Sequence, residues 1–135
     1  PIARSLVHKA AQNGISIKVI SGLRSYAEQD ALYAQGRTKP GRIVTKARGG
    51  YSNHNFGIGF DIGVFEGSKY LGESVKYDAV GALGMDIGLE WGGSWKSFED
   101  QSHFQLRPAW AQALSEKDML AQLRARVEDG KPVFA

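Results

Sequence analysis

Ser52-Asn53-His54-Asn55-Phe56-Gly57-Ile58-Gly59-Phe60-Asp61-Ile62-Gly63-Val64-Phe65 is the stretch from which the rest of the chain is best read. From Gly57 onward Ile58, Phe60, Ile62 and Val64 alternate with Gly59, Asp61, Gly63 and Phe65, the two-residue period of a strand with one face on a core. The second face is made of small residues and a carboxylate, so something else approaches it closely: a backbone, a metal shell or a ligand. A carboxylate inside an apolar strand must be paired or bound to a cation, because burying it alone is costly. His54 stands seven residues before Asp61, across Asn55-Phe56-Gly57, and a bend at Gly57 can fold it back beside Asp61.

Working outward, residues 2–13 read as a helix with Ile2, Leu6, Val7, Ala10 and Ala11 on one face, stopped by Asn13-Gly14. Ile15 to Ile20 is β-branched and alternating, a strand. Ser25-Tyr26-Ala27-Glu28 is a capping box that opens a helix running to Gln35 and closed by Gly36. Arg37 to Tyr51 is a loop. Residues 66–73 read as a turn or loop, and 75–89 as a helix with Val75, Ala79, Ala82, Leu83 and Ile87 as packing positions, weakened by Gly81 and Gly84. Trp91 to Trp95 is irregular, His103 to Leu106 is a short strand ended by Pro108, and Trp110 to Glu128 is a last helix. The order predicts an α+β fold: a small, mostly antiparallel sheet of three or four strands with helices packed on it, as a single domain over 1–135.

At 135 residues the chain has the length of one ordinary domain, and 42% hydrophobic with 23% charged residues describes a globular protein with a real core. No apolar run reaches the roughly 18 residues of a membrane span, and no secretory signal is visible. With no Cys, disulfides and Cys-ligated metals are excluded, and any metal site must draw on His, Asp and Glu. The net charge of +3 is concentrated in Arg37, Lys39, Arg42, Lys46 and Arg48, with no acid before Asp61. That stretch is a solvated loop or a basic lip that meets an anionic target. It carries no nucleic-acid motif, and no nucleic-acid partner is expected.

The second piece of chemistry is Asp100-Gln101-Ser102-His103-Phe104. Two His and one Asp, His54, His103 and Asp61, are ligand types that zinc accepts, and three protein ligands leave a fourth position for water. Asp100 is then a spare carboxylate able to handle that water's proton. Arg24 is a candidate for stabilising negative charge on a carbonyl oxygen, or for pairing with a substrate carboxylate. Each has a plainer reading. Arg24 could be the structural partner of a buried acid, and Asp100 a turn acid. Trp91 and Trp95 read as core or rim packing, and Gly49-Gly50 and Gly92-Gly93 as turns. His8, on the first helix, reads as a surface residue.

The pattern Ser52-x-His54-x-x-Gly57-x-Gly59-x-Asp61 resembles the first zinc motif of the D-alanyl-D-alanine carboxypeptidase-type zinc peptidases. Trp95 to Gln105, with Asp100-x-x-His103-Phe104, resembles the second, and Ser21-Gly22-Leu23-Arg24-Ser25 with Gln29 an upstream Arg motif. Within that family Leu32 to Thr38, Pro40-Gly41, Ile43-Val44-Thr45, Gly49 to Ser52 and Trp91-Gly92-Gly93 are similar to the L-alanyl-D-glutamate endopeptidases of phage endolysins and bacterial autolysins. The resemblance implies a Hedgehog/DD-peptidase-like fold and one Zn2+ per chain on His54, Asp61 and His103. It further implies Asp100 as catalytic acid/base, Arg24 as oxyanion stabiliser or substrate holder, and Ser52 lining the site. Gly59 replaces the family's usual Ala, and Asp100 stands where many members have Glu.

The expected function is zinc-dependent hydrolysis of the L-Ala-D-Glu bond in the bacterial peptidoglycan stem peptide, by a monomer acting on the cell wall. The alternatives are a D-Ala-D-Ala carboxypeptidase on the same fold and a non-catalytic zinc-binding module. A weaker third is a nucleic-acid-binding domain using the basic loop.

Overall fold

The computed structural model describes residues 2–95 and 99–134. Its chain divides into two compact units. One comprises Pro1–Gly22 with Gly59–Leu106, and the other Leu23–Ile58 with Arg107–Ala135.

The first unit holds helices α1 (Ile2–Gln12) and α3 (Lys76–Asp86) and the whole sheet: β1 (Ser16–Ser21), β2 (Gly59–Glu66), β3 (Lys69–Leu71), β4 (Glu90–Trp91) and β5 (His103–Gln105). The sheet order is β1-β2-β5-β4, with β3 also paired to β2, and every pairing is antiparallel. The alternation of β2 sends Phe60, Ile62 and Val64 into the core, where they meet Leu6, Ala10, Ile17, Tyr77, Val80, Leu89, Trp91 and Phe104.

The expected loop at 66–73 is in part a hairpin. Gly67, at φ +62°, turns the chain, and Lys69–Leu71 pairs back on β2. Tyr70 covers the small face of β2: a Cβ on Gly63 would lie 2.8 Å from its ring. The irregular Trp91–Trp95 likewise begins as β4 and continues as a single 3-10 turn, Gly92–Ser94.

Helix α3 presents a different face from the expected one. Tyr77, Val80, Gly81 and Gly84 are buried, Leu83 and Ile87 are partly buried, and Val75 is 84% exposed. The two glycines are what the packing requires. A Cβ on Gly81 would meet the Trp91 ring at 2.3 Å, and one on Gly84 the Phe104 ring at 2.5 Å. Small residues on this face let two aromatic rings lie against the helix backbone.

The second unit holds α2 (Tyr26–Ala34) and α4 (Glu116–Glu128). The Ser25 capping box forms as read, with Ser25 accepting from the Glu28 N–H and Glu28 from the Ser25 N–H. The last helix starts six residues later than expected. Trp110 sits in a separate 3-10 turn, Ala109–Ala111. The carbonyls of Ala111 and Leu114 are taken by the Arg107 guanidinium, and Ser115 caps α4 by accepting from the Asp118 N–H. Met119, Leu120 and Leu123 of α4 form a core with Phe56, Ile58 and Ala111.

Candidate metal centre and its flanking residues

Asp61 on β2 and His103 on β5 are direct cross-strand partners, so the sheet register itself brings them together. The pairing extends just beyond the start of β5, where the Ile62 N–H donates to the carbonyl of Ser102, the residue before the strand. The imidazole Nδ1 of His103 lies 3.0 Å from Asp61 Oδ1, and its Nε2 lies 3.1 Å from Gln105 Oε1. Gln105 in turn donates from Nε2 to Glu90 Oε2 at 2.9 Å. Burial of the His103 ring disfavours its charged form, but the hydrogen bond and charge of Asp61 outweigh this, and its pKa lies above the ordinary value. The Trp95 ring flanks the imidazole, with centroids 5.5 Å apart, so this tryptophan borders the centre while Trp91 is a core residue.

In the second unit, Asn53–Phe56 forms a 3-10 turn. Ser52 is its N-cap and accepts from the His54 N–H, and Gly57 closes it at φ +72°. The bend expected at Gly57 is therefore real, and it is a left-handed cap that L side chains rarely adopt. His54 is buried, and its carbonyl accepts from the Arg24 N–H. Asn55 ties the segment together: its Oδ1 accepts from the Gly50 and Ser52 N–H groups, and its Nδ2 donates to the Arg24 carbonyl. Arg24 is aimed by the fully buried Gln29, whose Oε1 accepts from Arg24 Nη1 at 2.8 Å while its Nε2 donates to the Ala47 carbonyl.

His54, Asp61 and His103 are a set of residues that could hold a metal ion, each offering one ligand atom. Two imidazoles and a carboxylate suit zinc chemically. The 3.0 Å between His103 Nδ1 and Asp61 Oδ1 is near the roughly 3.3 Å that separates ligands bonded at ~2.0 Å in a tetrahedron.

Asp100 is exposed and caps the turn into β5, its Oδ1 accepting from the Ser102 N–H and hydroxyl. The turn-acid reading is thus correct as structure, and it fixes where the carboxylate stands. Asp100 also borders a polar cavity of about 420 Å³ lined by Tyr70, Tyr77, Glu99 and Ser102 among others. Gly92 makes this position possible. A Cβ there would lie 2.3 Å from the Asp100 carbonyl oxygen, and the Asp100 N–H donates to the Gly92 carbonyl. Of the Trp95–Gln105 segment singled out in the sequence, residues 96–98 lie outside the described residues. His8 is exposed on α1, as expected.

Sequence reasoning did not single out Gln105, Glu90 or Asn55. The signals were present: Gln105 is two residues after His103 on a strand and so shares its face, and Asn55 stands at the N3 position after Ser52.

Residues 2–82 match the family model described as VanY, D-alanyl-D-alanine carboxypeptidase. The chain belongs to the VanY family. A curated relative of this VanY-family chain is the peptidoglycan L-alanyl-D-glutamate endopeptidase CwlK of Bacillus subtilis (strain 168), 40% identical over 116 residues, which cover 78% of this chain and 70% of CwlK. Among solved structures, the L-Ala D-Glu endopeptidase ChiX of Serratia marcescens superposes with a TM-score of 0.55 at 26% identity, covering 76% of this chain and 78% of ChiX. A vancomycin-resistance D,D-pentapeptidase VanY in complex with Zn(II) superposes with a TM-score of 0.58 over 98% of this chain and 78% of its own. At 15% identity that likeness concerns the fold alone.

Proposed function

We propose that this chain is a zinc-dependent peptidoglycan hydrolase that cleaves the L-Ala-D-Glu bond of the stem peptide, with residues 1–135 working as a single, monomeric peptidase domain. The observation that carries the choice of bond is the 40% identity with CwlK. The His54–Asp61–His103 group supports the metal chemistry. We assign those three residues as the ligands of one zinc ion. When bound, zinc would lower the pKa of a coordinated water to roughly 7 and polarise the scissile carbonyl.

The remaining work belongs to the chain's own side chains. Asp100, held by Ser102, takes a proton as water adds to the L-Ala carbonyl carbon. It passes that proton to the D-Glu nitrogen as the C–N bond breaks. Arg24, held by Gln29, offers a fixed guanidinium to the developing oxyanion or to a stem-peptide carboxylate. Ser52 lines the site through the turn that carries His54. The setting of this activity is the bacterial wall and its lysis, by a phage-encoded or a bacterial enzyme.

The test is digestion of purified peptidoglycan by the zinc-loaded protein, with fragments read by mass spectrometry. Stem peptides beginning at D-Glu are expected. The family model's description favours a second reading, terminal D-Ala removal. Release of D-Ala alone would establish it in place of the first.

A further inference from the structure

We propose that Gln105 is a positioning residue that selects Nδ1 of His103 as the metal-binding nitrogen, with Glu90 setting the orientation of Gln105. The proposal rests on the reading of His103 as a zinc ligand. Gln105 has 0% of its surface accessible, although its side chain is polar, and it spans two side chains of opposite demand. On one side stands Glu90, its direct cross-strand partner on β4. An ionised carboxylate only accepts hydrogen bonds, so the amide nitrogen of Gln105 must face it, as the 2.9 Å bond to Glu90 Oε2 shows.

The amide oxygen is thereby committed to the other side, 3.1 Å from His103 Nε2. An amide oxygen only accepts, so Nε2 must carry the hydrogen and donate it. In the neutral ring that leaves the lone pair on Nδ1, the nitrogen 3.0 Å from Asp61 Oδ1. Two acceptors held that close need a cation between them, a proton or a metal. The relay Glu90–Gln105–His103–Asp61 crosses three neighbouring strands, β4, β5 and β2, so the sheet holds all four side chains in register. Hydrogen bonds of this kind to the far nitrogen of a ligating imidazole are worth roughly 10–100-fold in metal affinity.

The test measures zinc affinity by chelator competition, together with the visible spectrum of the cobalt-substituted protein and the imidazole nitrogen shifts of the zinc-loaded protein. Gln105→Leu is expected to weaken zinc binding by about 10–100-fold and to alter the cobalt spectrum. Because this variant also removes buried hydrogen bonds, Glu90→Gln, which keeps size and shape, serves beside it. It is expected to weaken zinc binding in the same direction by a smaller factor. Gln105→Glu combined with Glu90→Gln preserves net charge, keeps an acceptor against Nε2 and reverses the neighbouring bond, so it is expected to restore most of the lost affinity. In the wild type, nitrogen shifts should show Nε2 protonated and Nδ1 bound.

Metal on Nε2, or wild-type affinity and spectrum in both single variants, would overturn the proposal. If His103→Ala loses zinc while Gln105→Leu does not, the positioning role alone fails. If the wild type binds no zinc, or His103→Ala binds it fully, the ligand assignment falls and this proposal with it.

Discussion

Asp61 and His103 show how much a single residue's setting decides. An apolar strand interrupted by one carboxylate already demanded a cationic partner, and the register supplies it across the sheet at 3.0 Å. The residue types of the proposed ligands could therefore be read from the sequence. Of their supporting residues, Gln29 stood in the upstream Arg motif, while Gln105 and Asn55 were marked only by their positions after His103 and Ser52; the hydrogen bonds through which all three act are defined only by the folded chain. Asp100 carries the clearest prediction at this scale. Asp100→Asn is expected to keep its zinc and its fold while hydrolysis falls by about 10²–10⁴-fold, the usual worth of general acid–base catalysis. Metal content and turnover measured on the same sample check it.

His103 gives a second prediction. Its folded pKa is raised above the unfolded value of about 6.5, so in zinc-stripped protein its pairing with Asp61 contributes stability that is fully present below that value and lost as pH rises through the folded pKa. Thermal melts of stripped wild type and His103→Asn should differ most below about pH 6.5 and converge as the pH rises above it. A gap that widened with pH would contradict this. Zinc-loaded protein should show the opposite trend, since the metal takes the proton's place.

Elements were easiest to read where one local signal sufficed. The Ser25 capping box, the Gly57 bend and the alternation of β2 all form as their residues indicate. Reading failed where a partner decides the outcome. Helix α3 buries its glycines because Trp91 and Phe104 lie on them, and no helical periodicity of apolar residues reports that. Lys69–Leu71 is too short to show a period of its own and exists through pairing with β2. Gly84→Ala is accordingly expected to destabilise the protein by about 1–3 kcal/mol through overpacking against Phe104, despite alanine's better helix propensity; denaturant unfolding measures it. Gly92→Ala should act on function instead. The added Cβ would lie 2.3 Å from the Asp100 carbonyl oxygen and so displace that backbone, which should reduce hydrolysis with zinc content unchanged, a pattern distinct from that of any ligand variant.

At the scale of the whole molecule, the α+β class and the antiparallel sheet follow from the element order, whereas the division into two units does not. Ile58 and Phe60 sit two apart in one alternating run, yet Ile58 belongs to the core of the second unit and Phe60 to that of the first. Alternation tells which residues are buried, not with whom. The basic stretch also separates in the structure. Arg37 stacks on Tyr33 and donates to the Tyr33 and Thr45 carbonyls, and Arg48 donates to the Tyr51 hydroxyl, so both serve the local fold. Lys39 and Arg42 are exposed. Replacing both by Glu is expected to slow digestion of intact, anionic walls at low salt, where steering is unscreened, to lose that effect at high salt, and to leave a short soluble stem peptide, which presents few charges, little affected. Equal loss on both substrates would move these residues into the site itself.

The measurement that tests the central claim most directly is the zinc content of purified protein, wild type beside His54→Ala, Asp61→Ala and His103→Ala, with folding followed by circular dichroism. One zinc per chain in the wild type, lost from each folded variant together with wall hydrolysis, is the predicted result. Full zinc in both folded His variants, or wall hydrolysis that persists after complete removal of metal, would contradict it.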